Sequence, residues 1–231
     1  MNFELPLFPL NVVLFPGMPL PLHIFEPRYR LLTRRCLEGG HFPVERAFGV
    51  TLVAEGEEGK ANTVPVQIGC TAKIIHVAPL PDGRFNLQTV GGRRFQVHAR
   101  RMEDEYWIGS CCWLDDDQIS EDLHEATARV RLALDGYLRA IAAGAGVSTP
   151  DLAQLEMPVS AFDFSMWIAA LLPLAPHEKQ PLLEMTSTVA RLEEEYLLLR
   201  RAEVIQRAFS KRETETPNVS SQGADHFVSL N

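Results

Sequence analysis

Gly56-Glu-Glu-Gly-Lys60 is the nearest this chain comes to a phosphate cradle, and it falls short. A nucleotide loop of the G-x-x-x-x-G-K-[ST] type wraps phosphates in backbone N–H groups and reaches Mg²⁺ with a hydroxyl. Here the loop is too short and Ala61 stands where the hydroxyl is needed, so an exposed loop is the reading that remains. The seven histidines are scattered, with no H-E-x-x-H and no pair at i,i+4, so the zinc-site signature is missing. Cys36, Cys70, Cys111 and Cys112 include an adjacent pair and no C-x-x-C, the pattern of reduced cytoplasmic thiols. Cys111 and Cys112 read as packing residues on alternate faces of a strand. His98 reads as an outward, solvated strand residue, and His23 as bonded to backbone near a proline-rich turn. Asp115-Asp-Asp117 offers charge without the fixed geometry a hard cation requires, and reads as a solvated linker. Catalytic triads assemble in space, so a small hydrolase stays open as one function, with His23 or His76 set against Cys36, Cys70 or a serine. No G-x-S-x-G marks a nucleophile.

Residues suited to binding are better represented. Glu26, Arg28 and Arg30 have a structural reading, with Glu26 near a helix start and the arginines bracing loops. They have a functional one as well, a polar rim beside exposed Phe and Pro side chains, which is the layout of a peptide site. The pairs Arg34-Arg35, Arg93-Arg94 and Arg100-Arg101 raise RNA binding as an alternative function. Neighbouring residues diverge in a strand or helix, so these pairs make no basic stripe, and a pI near 5.4 opposes strong phosphate binding. Nucleic acid is an unfavoured partner. The formal charge of -8 is unevenly shared. Residues 1–101 hold 12 Lys/Arg against 8 Asp/Glu, and residues 102–231 hold 10 against 22. The composition therefore shifts where the secondary-structure pattern shifts.

Those side chains must be positioned by a strand-rich first half and a helical second half. Proline recurs at 6, 9, 16, 19, 21 and 27 among bulky apolar residues. Without a free φ or an N–H, such a run cannot be one helix or a central strand. It predicts a short strand over Val12–Phe15, a turn at Pro16-Gly17, an extended segment over Pro19–Phe25 and a helix from Pro27 to about Leu37, ending at Gly39-Gly40. Strands follow at Phe48–Val53, Val66–Val77 (with Gly69 a bulge or corner), Phe85–Val90, Arg94–His98 and Tyr106–Leu114. Asp82-Gly83 supplies the positive φ of a tight hairpin turn. From residue 119 the apolar period becomes helical: Leu123, Val130, Leu134, Tyr137, Leu138 and Ile141 share a face. Gly144–Ser148 ends that helix and Thr149-Pro150 opens a short one. Ser160-Ala-Phe-Asp163 has capping-box spacing before Phe164–Leu172. Pro173, Pro176 and Pro181 segment the chain, with Pro176 at a helix start. A long amphipathic helix runs over Ser187–Lys211, and a polar, disordered tail follows. The expected organisation is a β-rich unit over 1–118, a helical unit over 119–212 and a tail over 213–231. No apolar run approaches the roughly 20 residues of a membrane span. Glu4, the prolines and the missing basic n-region argue against a signal peptide, so the expected location is the cytoplasm.

The opening run resembles the Lon protease N-terminal, or substrate-binding, domain family. The residues that carry it are Leu5-Pro-Leu-Phe-Pro-Leu10, Val13-Leu-Phe-Pro-Gly17, Pro21-Leu22 and Ile24-Phe-Glu-Pro-Arg-Tyr-Arg30. In order after it come Phe48-Gly-Val50, Ile68-Gly-Cys-Thr-Ala72, Leu80-Pro-Asp-Gly-Arg84, Gly92-Arg-Arg-Phe95, Ala170-Leu-Leu-Pro-Leu174, Glu178-Lys-Gln180 and Leu182-Leu-Glu184. The resemblance covers residues 3 to about 210. It implies an α+β fold: an N-terminal PUA-like small β-barrel or folded sheet with one helix, then a helical bundle. It also implies a stand-alone, non-enzymatic module without the ATPase and Ser–Lys peptidase, binding unfolded or exposed polypeptide segments. A protease or ATPase partner, or a second copy of the chain, is expected at the helical part. No cofactor and no metal are expected. The residues taken as the peptide or partner surface are Phe15, Pro16, Met18, Phe25, Glu26, Arg28, Tyr29, Arg84 and Arg94. Rigid prolines keep apolar side chains partly exposed without collapse, and a nearby sheet edge offers strand addition.

Overall fold

Proline governs where the first strand lies, although not as the sequence predicts. The computed structural model of the chain describes residues 2–39, 44, 46–55, 64–116, 122–147 and 156–215, the side chains of 55 and 211–215 excepted. In it β1 (Phe3–Leu10) contains both Pro6 and Pro9, and Val12–Phe15 is not a strand. Residues Phe3–Leu7 of β1 pair antiparallel with β6 (Tyr106–Trp113), while Leu7–Leu10 pair parallel with β3 (Ala47–Glu55). Each proline thus sits in a half with a paired neighbour on one side only, the edge-like setting that tolerates a missing N–H. A strand between two others accommodates both rings by dividing its partners along its length.

The other strands are β2 (Pro19–Ile24), β4 (Val64–Pro79) and β5 (Phe85–Glu103). The sheet is mixed, with order β2-β5-β4-β3-β1-β6; an added β5–β6 pairing closes five of the strands into a ring, and β2 is paired with β5 outside it. β5 is one strand of 19 residues, not the two predicted, and passes through Gly91-Gly92 without stopping. The β4–β5 turn is the expected one: the Gly83 N–H donates to the Leu80 carbonyl at 2.9 Å. Helix α1 (Pro27–Glu38) starts on Pro27 and ends at Gly39, where φ is +72°.

Helices α2 (Leu123–Ala145), α3 (Ala161–Leu171), α4 (Pro176–Glu184) and α5 (Thr188–Glu215) complete an α+β fold. Local signals set their starts. The Ser160 hydroxyl accepts from the Asp163 N–H at 3.3 Å, and Pro176 occupies the first turn of α4. Pro181, expected to break the chain, lies inside α4, whose buried Leu182 and Leu183 hold the turn in place. One apolar cluster runs from Val13, Phe15 and Leu52 into the buried faces of all four of these helices. A second lies between α1 and the sheet, with the Phe8 and Tyr29 rings stacked 3.9 Å apart. No helix among the described residues is long and apolar enough to cross a membrane. The loop expected at 56–60, the helix start at Thr149-Pro150, Asp117 and the tail after 215 lie outside the described residues.

Candidate functional site

The Pro16-Gly17-Met18 turn projects from the strand ring toward α3, and it is fixed at its base. Gly17 adopts φ +77°, a conformation costly to any residue with a Cβ. The Gly17 N–H donates to the Gly91 carbonyl, and the Gly91 N–H to the Met18 carbonyl, both at 2.8 Å. Gly91 permits this because a Cβ there would lie 2.0 Å from the Phe15 carbonyl oxygen. Phe15 is fully buried beneath the turn. What the turn offers outward is Pro16, Gly17 and Met18.

Two recesses meet at Pro16. One, of about 590 Å³, is apolar: Pro16, Met18 and Pro19 face Pro158, Trp167, Ala170 and Leu171 across it, with Asp163 at its edge. Leu171 is 53% exposed, a large apolar residue left open to solvent beside Trp167. The other, of about 570 Å³, is charged. Arg93, Arg94, Asp115 and Asp116 line it together with the first residues of α3 and α5.

Beneath the charged cleft, buried side chains tie the strands to the helices. The Arg94 guanidinium is 1% exposed. Its Nη1 donates to the carbonyls of Leu183 at 2.7 Å and Met185 at 2.6 Å, and its Nη2 to Asp116. Arg191, with no exposed surface, donates from Nη2 to the same Asp116 at 2.7 Å, from Nη1 to the Met185 carbonyl at 2.8 Å and from Nε to the Ser165 hydroxyl at 2.8 Å. The Ser165 hydroxyl in turn donates to Glu195 at 2.9 Å, and Thr188 donates to Asp116. Both guanidiniums lie against the Phe162 ring, at 5.7 and 5.5 Å. Burial pulls the Arg94 guanidinium below its ordinary value against the opposing pull of Asp116. Burial likewise lifts the Glu195 carboxyl well above its ordinary 4.5, with Ser165 and Arg191 opposing.

The residues expected from sequence fall into two places. Pro16, Met18 and Arg94 meet at the recesses just described, although Arg94 contributes from below and Phe15 is sealed in the core. The rest gather around the start of α1 and the β4–β5 turn. Phe25 is 59% exposed. Glu26 takes the Nε and Nη2 of Arg28 at 3.0 and 2.8 Å, and the Arg28 guanidinium covers the ring of buried Tyr29 at 4.6 Å. Arg84 is bound to Asp82 at 2.6 Å and reaches the His23 ring at 3.3 Å. His23 faces Asn86 at 2.6 Å, a side chain and not the backbone group expected, because the β2–β5 register sets the two opposite each other. Glu26 and Arg28 neutralise each other beside α1.

Asp116, Arg191, Trp167 and Leu171 went unnoticed as site residues. Asp116 stood inside a run read as solvated linker, yet only Asp115 of the described pair fits that reading, at 74% exposed against 10%. The arginine pairs are drawn off by local partners. Arg93 binds Asp115, Arg101 binds Glu4 and Glu103, Arg35 binds Asp104, and Arg100 covers Trp107. That placement weighs against a phosphate-binding stripe. His23 and His76 share a recess on β2, β4 and β5 that no cysteine or serine lines. Burial pushes the Cys36, Cys70 and Cys111 thiols up to about 12. The one Cys–His contact in the described residues is unexpected: His98, at a register shift in β5, sets its Nε2 3.0 Å from the Cys112 sulfur. No group of three or more His, Cys, Asp or Glu among the described residues could hold a metal ion.

Residues 4–201 match the sequence model of the ATP-dependent protease La (LON) substrate-binding domain. The chain is 29% identical over 192 residues to a Lon protease of Buchnera aphidicola subsp. Baizongia pistaciae, covering 82% of this chain and 24% of that protein. It is 28% identical over 198 residues to the Lon protease of Escherichia coli K12, covering 83% and 24%. The chain thus spans about a quarter of the length of these relatives. Among solved structures it resembles a Lon N-terminal domain protein from Xanthomonas campestris, with TM-score 0.56, 28% identity, and 83% and 95% of the two chains covered. The N-terminal domain of a Mycobacterium avium complex Lon protease shares the fold at TM-score 0.61 and 16% identity, over 85% and 97%.

Proposed function

The chain belongs to the ATP-dependent protease La (LON) substrate-binding domain family, and from that premise we propose that it is a non-catalytic module that captures unfolded, apolar polypeptide segments. The site is the groove between the Pro16–Met18 turn and α3. The observation that carries this is a rigid apolar recess left open: Met18, Trp167 and Leu171 around about 590 Å³, on a turn pinned to β5. A folded chain ordinarily closes such surface, and an exposed apolar patch marks a place where another chain sits. Because the turn is already ordered, binding loses little entropy on the protein's side. Folded proteins have few apolar side chains free to enter; unfolded ones have many. The β-rich unit 1–118 and the helical unit 119–212 each supply one wall. Work beside an ATPase or protease partner in the cytoplasm is part of this reading, consistent with four cysteines carried as free thiols.

The test is capture of a denatured model substrate against the same protein folded, by pull-down and by suppression of its aggregation. Leu171→Ser removes an exposed wall residue and leaves the core intact. Its loss is expected to weaken capture about fivefold, the cost of roughly 1 kcal/mol of apolar contact. Equal binding of folded and unfolded forms would sink the reading.

A further inference from the structure

The apolar groove carries a single charge. Its α3 wall is one stripe, Asp163, Trp167, Ala170 and Leu171, and residues three and four apart share a helix face. At 1.5 Å per residue the stripe is about 12 Å long. Asp163, at its start, is exposed. Its backbone N–H donates to the Ser160 hydroxyl, but among the described residues its carboxylate has no hydrogen-bond or ion-pair partner. The dipole of α3 favours a negative charge in the first turn, and that effect uses no lone pair, so the carboxylate stays free to accept. No Lys or Arg among the described residues lines the groove. The carboxylates of the neighbouring cleft differ, since Arg93 takes Asp115 and Arg94 takes Asp116. One turn on from Asp163 stands the half-buried Trp167, and indole is the ring that best attracts a cation. A free carboxylate one helical turn from an indole is a seat for a guanidinium or an ammonium group.

Resting on the reading of this groove as a peptide site, we propose that it selects segments in which an arginine or lysine lies two residues from an apolar side chain, and that Asp163 makes the selection. In an extended segment, side chains on one side recur every second residue, about 6.6–6.8 Å apart. Asp163 and Trp167 are about 6 Å apart along the helix axis. A cation over Asp163 therefore sets the side chain two residues away against Trp167, and the one four residues away against Leu171. The aliphatic stem of the basic residue lies along the apolar wall while its head stays in water. An acidic segment meets an uncompensated like charge. The half of the chain that supplies this wall, residues 102–231, holds 10 Lys/Arg against 22 Asp/Glu, so the wider field favours the same partner.

The experiment measures fluorescence anisotropy of short labelled peptides built around one leucine, with arginine, glutamine or glutamate placed two residues to either side of it. In ~50 mM salt the arginine peptide is expected to bind about fivefold more tightly than the glutamine peptide, the range of an exposed ion pair joined to a cation–π contact. That advantage should shrink in ~0.5 M salt, where exposed charges are screened, and when the arginines are set directly beside the leucine, where they point to the other side. Asp163→Asn is expected to erase it with glutamine-peptide binding and melting temperature unchanged, and Asp163→Lys to turn the order in favour of glutamate. Asp115→Asn, in the neighbouring cleft, leaves the order intact. Equal binding of the arginine and glutamate peptides overturns the inference, as does an arginine preference that survives Asp163→Asn. If the three peptides bind alike or not at all while denatured chains are still captured, the charge selection is wrong and the recognition function stands. If denatured chains are not captured either, both fall.

Discussion

Asp116→Asn is the most exacting test of the buried charge cluster. The aspartate accepts from Arg94, Arg191 and Thr188, and both guanidiniums are inaccessible to water. The amide keeps one acceptor oxygen but no charge. Arg94, whose guanidinium the neighbouring Arg191 helps to depress, and Arg191 would then be buried without the carboxylate they share. Removing one partner from a buried ion pair costs about 3–5 kcal/mol, because the remaining charge cannot be rehydrated. Asn retains part of the hydrogen bonding, so the lower end applies, about 3 kcal/mol. For a chain of this size each kcal/mol lowers the melting temperature by about 2–4 °C, which gives a fall of about 6–12 °C. Urea titration followed by fluorescence of Trp107, Trp113 and Trp167, with calorimetry alongside, reads it out. Asp115→Asn is the internal control: that ion pair is exposed, and its loss is worth about 0–1 kcal/mol. A loss below about 1 kcal/mol for Asp116→Asn, with an unchanged denaturant slope, would refute the reasoning.

Other outcomes follow from the same geometry. Gly91→Ala places a Cβ 2.0 Å from backbone that cannot move without dislodging the Pro16 turn; a loss of about 2–4 kcal/mol in chemical denaturation is expected, and a neutral result would mean that the turn is not pinned there. Glu195 holds its proton more tightly folded than unfolded. Its contribution is therefore full below the ordinary value of 4.5 and is lost as pH rises through the elevated folded value. Glu195→Gln, which cannot ionise, should gain stability relative to the native chain as pH climbs from 5 toward 8, and parallel stability curves would exclude this. Under native conditions one thiol, Cys112, is expected to react quickly with iodoacetamide while Cys36, Cys70 and Cys111 stay protected; mass spectrometry showing two or more fast adducts would contradict their burial.

Features written in contiguous residues were readable from the sequence alone. Pro27 and Pro176 open helices, Ser160 caps one, and Asp82-Gly83 turns a hairpin, each through a steric or hydrogen-bonding preference spanning four residues or fewer. What depended on distant partners was not. β1 was unreadable because its prolines are tolerated only through a split pairing with β3 and β6, strands about 40 and 100 residues away. Gly91-Gly92 looked like a break in β5 because the reason for glycine there, the Phe15 carbonyl, lies far along the chain. Arg94 was readable as a site residue but not as a buried one: a lone arginine in a strand is ordinarily exposed, and its acceptors come from residues 116, 183 and 185. The apolar groove was half legible, through Pro16 and Met18, while Trp167 and Leu171 carried no mark separating them from core-facing helix residues.

The divided pairing of β1 has a consequence for how the chain is made. Leu5, Leu7, Phe8 and Leu10 leave the ribosome well ahead of β6, so Phe3 to Leu7 must wait for residues 107–111 before their half of the strand has a neighbour. At about 5–20 residues per second, that wait lasts on the order of 5–20 s. A bare apolar strand is a template for joining any other nascent chain. Pro6 and Pro9 interrupt its row of donors, so a foreign strand finds an incomplete ladder. The rings that make β1 hard to recognise also keep it single until its own partner arrives.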